Sequence, residues 1–103
     1  MIRFLLNPGE EHLDVILEGD LDIDSTEVVE EELIPKLVSE KAINIKFENV
    51  PFVDSSGMGL LLNLVQTLNE AGTKVTVSNV REEVMEVFEL LQLPDILGDD
   101  VFV

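Results

Sequence analysis

Asp54-Ser55-Ser56-Gly57-Met58-Gly59 sets a carboxylate, two hydroxyls and two glycines directly ahead of Leu60-Leu61-Leu62. The pattern reads as a buried strand ending at Phe52-Val53, a hydroxyl-rich turn, and the first turn of an apolar helix. Backbone N–H groups in that first turn have no partner inside the helix and point outward. A serine there can cap the helix, which is its commonest role. It can also carry a phosphate, held by the same N–H groups and the helix dipole. Gly57 and Gly59 weaken the simple capping account. Each lowers helix stability by about 1 kcal/mol relative to alanine. Small size at this point lets a phosphate, a nucleotide or a partner backbone come close.

Other chemistries are less well supplied. Asp20, Asp22 and Asp24 offer oxygen ligands of the kind Mg²⁺ or Ca²⁺ takes. The spacing lacks the glycine and terminal glutamate of an EF-hand loop, so no metal is expected. His12 is the only histidine and there is no cysteine. With no Gly-x-Ser-x-Gly elbow either, no nucleophile–base pair can be assembled. The chain reads as a non-enzyme with no cofactor. Glu30-Glu31-Glu32 reads as a solvated helix face.

The elements that must position the motif follow from hydrophobic period. Ile2–Leu6 and His12–Glu18 read as strands joined through Asn7-Pro8-Gly9-Glu10, an antiparallel hairpin. Gly19–Asp24 continues the alternation, with Leu21 and Ile23 on one side and acids on the other. Asp24 or Ser25 then caps a helix through Val28/Val29, Leu33 and Leu37, which Pro35 should kink or break near Ile34. Ala42–Phe47 is a strand. Gly57–Asn69 is the second helix, closed by Ala71-Gly72. Met58, Leu61, Leu62, Val65 and Leu68 form its inner face, and Leu60 and Leu64 widen the apolar arc. Core packing is the simpler role for Met58 and Leu60. The wide arc leaves room for one of them to be exposed beside Ser55. Lys74–Ser78 is a strand, and Asn79 with Glu82 resembles a capping box before a third helix. Gln92–Gly98 reads as short and irregular, and Val101–Val103 as a terminal strand or a packed end. The order β-β-α-β-α-β-α predicts an α/β fold: a mixed sheet with an N-terminal antiparallel hairpin, then parallel βα units with helices packed on the sheet.

Composition bounds the rest. The 103 residues suit one domain, 1–103, and 46% of them are hydrophobic, enough for one modest core. With 22 acidic against 6 basic residues, the net charge is −16. Such a surface repels nucleic acid and anionic lipid and suits a basic protein partner. No apolar run approaches a membrane span, and Met1–Leu6 is too short and too soon interrupted for a signal peptide. The absence of cysteine fits the cytoplasm. With no Trp or Tyr, base or sugar stacking is poorly supplied.

Val50-Pro51-Phe52-Val53-Asp54-Ser55-Ser56-Gly57-Met58-Gly59 resembles the phosphorylation motif of the STAS domain, as in bacterial anti-sigma factor antagonists. Gly19-Asp20-Leu21-Asp22 resembles the family's Gly-Glu/Asp-Leu-Asp segment. The resemblance spans essentially the whole chain. It implies phosphorylation at Ser55, with Asp54 beside the phosphate, Ser56 as a competing or capping hydroxyl, and Asp20 and Asp22 at the same end of the sheet. Gly57, Met58, Gly59 and Leu60 complete the implied phosphosite and partner surface. The implied partners are a serine-kinase anti-sigma factor and a serine phosphatase, met in the cytoplasm; the sequence leaves the oligomeric state open, with a monomer favoured. Other family members are scaffolds or lipid-transporter subunits, an alternative reading. A phospho-aspartate receiver with Asp54 as acceptor is a weaker one. Lys46 departs from the acidic or amide residue common in the family on this strand, which bears on phosphate handling or partner choice. The family's fourth helix looks shortened or missing.

Overall fold

Alternating residues make the sheet, and one of its faces makes the core. In the computed structural model, which describes residues 2–98 and 100–103, β1 (Arg3–Pro8) pairs antiparallel with β2 (Leu13–Glu18). β3 (Ala42–Asn49) runs parallel to β2, and β4 (Lys74–Ser78) parallel to β3, in the spatial order β1-β2-β3-β4. Leu13, Val15, Leu17, Ile43, Ile45, Phe47, Val75 and Val77 are all buried. Their neighbours Asp14, Ile16, Asn44, Lys46, Thr76 and Ser78 form the other, half-buried face, as a period of two requires. There Asn44 Nδ2 donates to Thr76 Oγ1 at 2.9 Å and Ser78 Oγ donates to Asn44 Oδ1 at 2.9 Å.

Helices cover the apolar face. A 3-10 turn at Ile23–Ser25 leads into a π-helical stretch, Val28–Leu33, continuous with α1 (Ile34–Leu37). Of the two outcomes expected at Pro35, a kink or a break, the break does not occur: the helix runs on and the turns ahead of the proline widen. The N–H of Ile34 reaches back five residues to the carbonyl of Val29. Proline has no N–H to donate, and its ring crowds the carbonyl four residues back in a regular α-helix. A wider turn relieves both problems. α2 (Ser55–Glu70) buries Leu61, Leu64, Val65 and Leu68, and Gly72 after it has φ +91°, the left-handed value that ends a helix at low cost.

α3 (Glu82–Leu90) buries Val84 and Phe88, and Phe88 packs edge-on to Phe47 with ring centroids 6.1 Å apart. The Asn79 capping box does not form: Asn79 sits at φ +59°, and α3 starts after Arg81, which makes no side-chain cap. The segment read as irregular contains a short helix, α4 (Leu93–Leu97), so the fourth helix is present in shortened form. The terminal strand reduces to one parallel bridge, Val77 to Phe102, with Val101 buried.

One packing contact locates α2. A Cβ on Gly57 would lie 1.9 Å from the carbonyl oxygen of Leu21, whereas one on Gly59 would meet nothing within 4 Å. The two glycines of the motif are thus unequal. Gly57→Ala is expected to destabilise the fold by about 3 kcal/mol through overpacking against backbone. Gly59→Ala should be neutral or stabilising by up to about 1 kcal/mol. Urea denaturation of both variants checks this; equal losses would contradict the assignment.

Candidate functional site

The motif lies at the carboxyl end of the parallel strands, where two extended segments meet. Leu21 and Val53 form a parallel bridge and both are buried. The Leu21 N–H donates to Phe52 O at 3.0 Å, and the Asp54 N–H donates to Leu21 O at 3.3 Å. Asp20-Leu21-Asp22 is thereby fastened alongside Phe52-Val53-Asp54. This is the sense in which the fold brings Asp20 and Asp22 to the end of the sheet that holds Ser55.

Asp54 is the N-cap of α2. Its backbone is extended at φ −96° and ψ −176°, and its Oδ1 accepts the Gly57 N–H at 2.8 Å. The Met58 N–H closes the first helical bond, to Asp54 O at 2.9 Å. Among the described residues this leaves the N–H groups of Ser55 and Ser56 without a hydrogen-bond partner at the positive end of a 16-residue helix. Ser55 is exposed and Ser56 is half-buried. The more accessible hydroxyl is therefore the one directly after the carboxylate. Asp54 works as a cap here, so capping by itself does not require either serine.

Asp22 does the same for the neighbouring turn. Its Oδ1 accepts the Asp24 N–H at 3.1 Å, and its own N–H donates to Ser25 Oγ at 3.1 Å. Asp22, rather than Asp24 or Ser25, is the cap, and Ser25 is its reciprocal partner. Ser25 is fully buried, and its Oγ also donates to Asp20 O at 3.1 Å. In the sequence Ser25 reads only as a possible helix cap. The signal available was a small hydroxyl residue three positions after Asp22, the spacing of a capping box.

Met58 and Leu60 are each only 7% exposed, so both take the simpler of their two readings, core packing, and neither lies open beside Ser55. Two expectations change. Ile23 does not continue the inward alternation: the strand ends at the turn, and Ile23 stands 66% exposed. Lys46 lies on the sheet face opposite the buried one on which α2 packs. It is therefore not directed toward Ser55.

Comparison with known proteins agrees with this geometry. The profile of the STAS domain matches residues 8–102. The chain belongs to the STAS domain family. The anti-sigma-B factor antagonist of Bacillus subtilis (strain 168) is 25% identical over 89 residues, 86% of this chain and 82% of that protein. The anti-sigma factor antagonist SpoIIAA in its unphosphorylated form shares 26% identity and superposes with a TM-score of 0.65, covering 85% of this chain and 83% of that one. SpoIIAA of Bacillus, described as a cell fate determinant, in its phosphorylated form shares 25% identity at a TM-score of 0.65, covering 98% and 89%. The mixed sheet with its antiparallel first pair is the STAS fold. No helix among the described residues is long and apolar enough to cross a membrane.

The cap geometry carries its own test. Asp54→Ala should lower stability by about 1 kcal/mol, and Asp54→Asn by only a few tenths, because the amide oxygen still accepts from Gly57. Thermal or urea unfolding of the two variants measures the difference. An Asn variant as unstable as the Ala variant would assign the effect to charge instead of capping.

Proposed function

We propose that this chain is an anti-sigma factor antagonist. Its unphosphorylated form binds a serine-kinase anti-sigma factor and so frees a sigma factor; phosphorylation at Ser55 abolishes the binding. The observation that carries this reading is the exposed Ser55 hydroxyl, directly after the capping carboxylate of Asp54 and beside two N–H groups, its own and that of Ser56, that have no hydrogen-bond partner among the described residues. Relatives named as antagonists, one of them solved in phosphorylated and unphosphorylated forms, support it.

The chemical step belongs to the partner, so the chain itself is not an enzyme and needs no cofactor. The kinase transfers the γ-phosphoryl group of ATP to Ser55 Oγ, which loses its proton. A serine phosphatase returns the hydroxyl by hydrolysis with water. Phosphorylation adds about −1.5 to −2 charges at neutral pH. Asp54 stands next in sequence and Asp20 and Asp22 on the adjoining segment, so the added charge falls on an already acidic surface. A basic partner face that fits the unmodified surface also meets a bulkier, more hydrated group after modification. Ser56 is the second hydroxyl of the site, Gly57 holds the helix start against Leu21, and Gly59 leaves open surface beyond it. Met58 and Leu60 contribute from beneath, by packing. The single domain, 1–103, acts as a monomer in the cytoplasm, without membrane insertion and without direct nucleic-acid contact.

Titration against the cognate serine-kinase anti-sigma factor tests the switch. Ser55→Ala should bind within about threefold of wild type, and Ser55→Asp more weakly by about tenfold or more. Equal affinity of the two variants would contradict a charge-operated switch at Ser55.

A further inference from the structure

Two apolar side chains stand in water at the end of the sheet that carries Ser55. Ile23 is 66% exposed and Phe52 is 51% exposed. A single exposed apolar residue on a loose loop needs no explanation. Ile23 is not on a loose loop. Its carbonyl accepts from Thr26 Oγ1 at 2.7 Å. The residue before it is locked by the reciprocal Asp22–Ser25 bonds, and the Ser25 hydroxyl that closes this box is fully buried and also holds Asp20 O. The backbone is braced on both sides of Ile23 while its side chain projects outward. Phe52 is braced too, since its carbonyl takes the Leu21 N–H at 3.0 Å.

The surroundings of this pair are acidic. Asp20, Asp22 and Asp24 flank Ile23, and Asp54 follows Phe52 by two residues. Neither Gly19–Ser25 nor Pro51–Gly59 contains a Lys or Arg. Rigidly held apolar side chains inside a polar rim have the anatomy of interface anchors. The two segments themselves carry only negative charge, which favours a partner of the opposite sign; Arg81, whose Nε donates to Glu48 O at 3.0 Å, is a basic side chain at the same end of β3. A second copy of this chain is a poor fit, because a net charge of −16 opposes self-association.

We infer that Ile23, with Phe52 on the adjoining segment, is the apolar anchor for a partner surface that presents an apolar pocket edged by Lys or Arg. This rests on the antagonist reading and names the contact chemistry of that partner. Ser25 is the positioning residue: it touches no partner and acts by holding Ile23 outward.

The test is a titration of purified chain against its cognate serine-kinase anti-sigma factor, with a non-hydrolysable ATP analogue so that Ser55 stays unmodified. Ile23→Ser should weaken binding by at least about tenfold, as an anchor does on truncation. Ile23→Val should retain binding within about threefold, since it keeps most of the apolar contact. Leu90→Ser, at an exposed position on α3, should leave binding unchanged. Unfolding midpoints separate lost contact from lost fold. Ser25→Ala should weaken binding in the wild-type background and add little in the Ile23→Ser background, the non-additivity of residues that act as one unit. Ile23→Ser binding as tightly as wild type overturns the anchor and leaves the antagonist reading standing. Failure of wild type itself to bind overturns both.

Discussion

The functional end of this protein depends on how closely α2 approaches the backbone of Leu21. Only a residue without a side chain can stand at position 57, because a Cβ there would overlap the Leu21 carbonyl oxygen. That same carbonyl accepts the Asp54 N–H, and the Leu21 N–H is taken by Phe52. One peptide segment thus joins the acidic turn, the end of the strand connection and the start of the helix. Asp54 can then reach the Gly57 N–H, which sets where the helix begins and which hydroxyl is left outside. Ser55 is exposed because the helix is seated this way.

The site is built from two capped turns of similar design. In each, an aspartate in extended backbone accepts an N–H ahead of it, Asp54 from Gly57 and Asp22 from Asp24. Neither cap uses an exposed serine. The buried Ser25 closes one box, while Ser55 faces solvent at the other. The Ser55 hydroxyl makes no hydrogen bond that supports the fold among the described residues, so the proposed modification there would leave the support of the helix start in place. The apolar layer beneath, with Met58, Leu60 and Leu61 buried, gives the helix start a firm base.

Strands and the long helix were readable in the sequence because their signal is periodic. Leu13, Val15 and Leu17 alternate, and Leu61, Leu64, Val65 and Leu68 recur at helical spacing; each set is buried as its period requires. The motif itself was readable because Asp-Ser-Ser-Gly before a leucine run is local information. What escaped was decided by contacts between distant segments or by alternatives of equal local merit. Ile23 fits a continued strand on paper, but the Ser25 hydroxyl bonds back to Asp20 and ends the strand first. Pro35 signals a disturbance without saying which one, and packing of Leu33 and Leu37 on the core keeps the helix continuous through a wider turn. Asn79 matched a capping pattern, yet its left-handed backbone makes it part of the turn ahead of α3. Gly57 and Gly59 looked alike until Leu21 was placed against one of them.

The most direct measurement is intact mass after incubation with Mg-ATP and the cognate serine-kinase anti-sigma factor, wild type beside Ser55→Ala. A switch at Ser55 requires a gain of one phosphoryl group in wild type and none in the variant. No gain in wild type with a demonstrably active kinase, or an equal gain in both proteins, would contradict it.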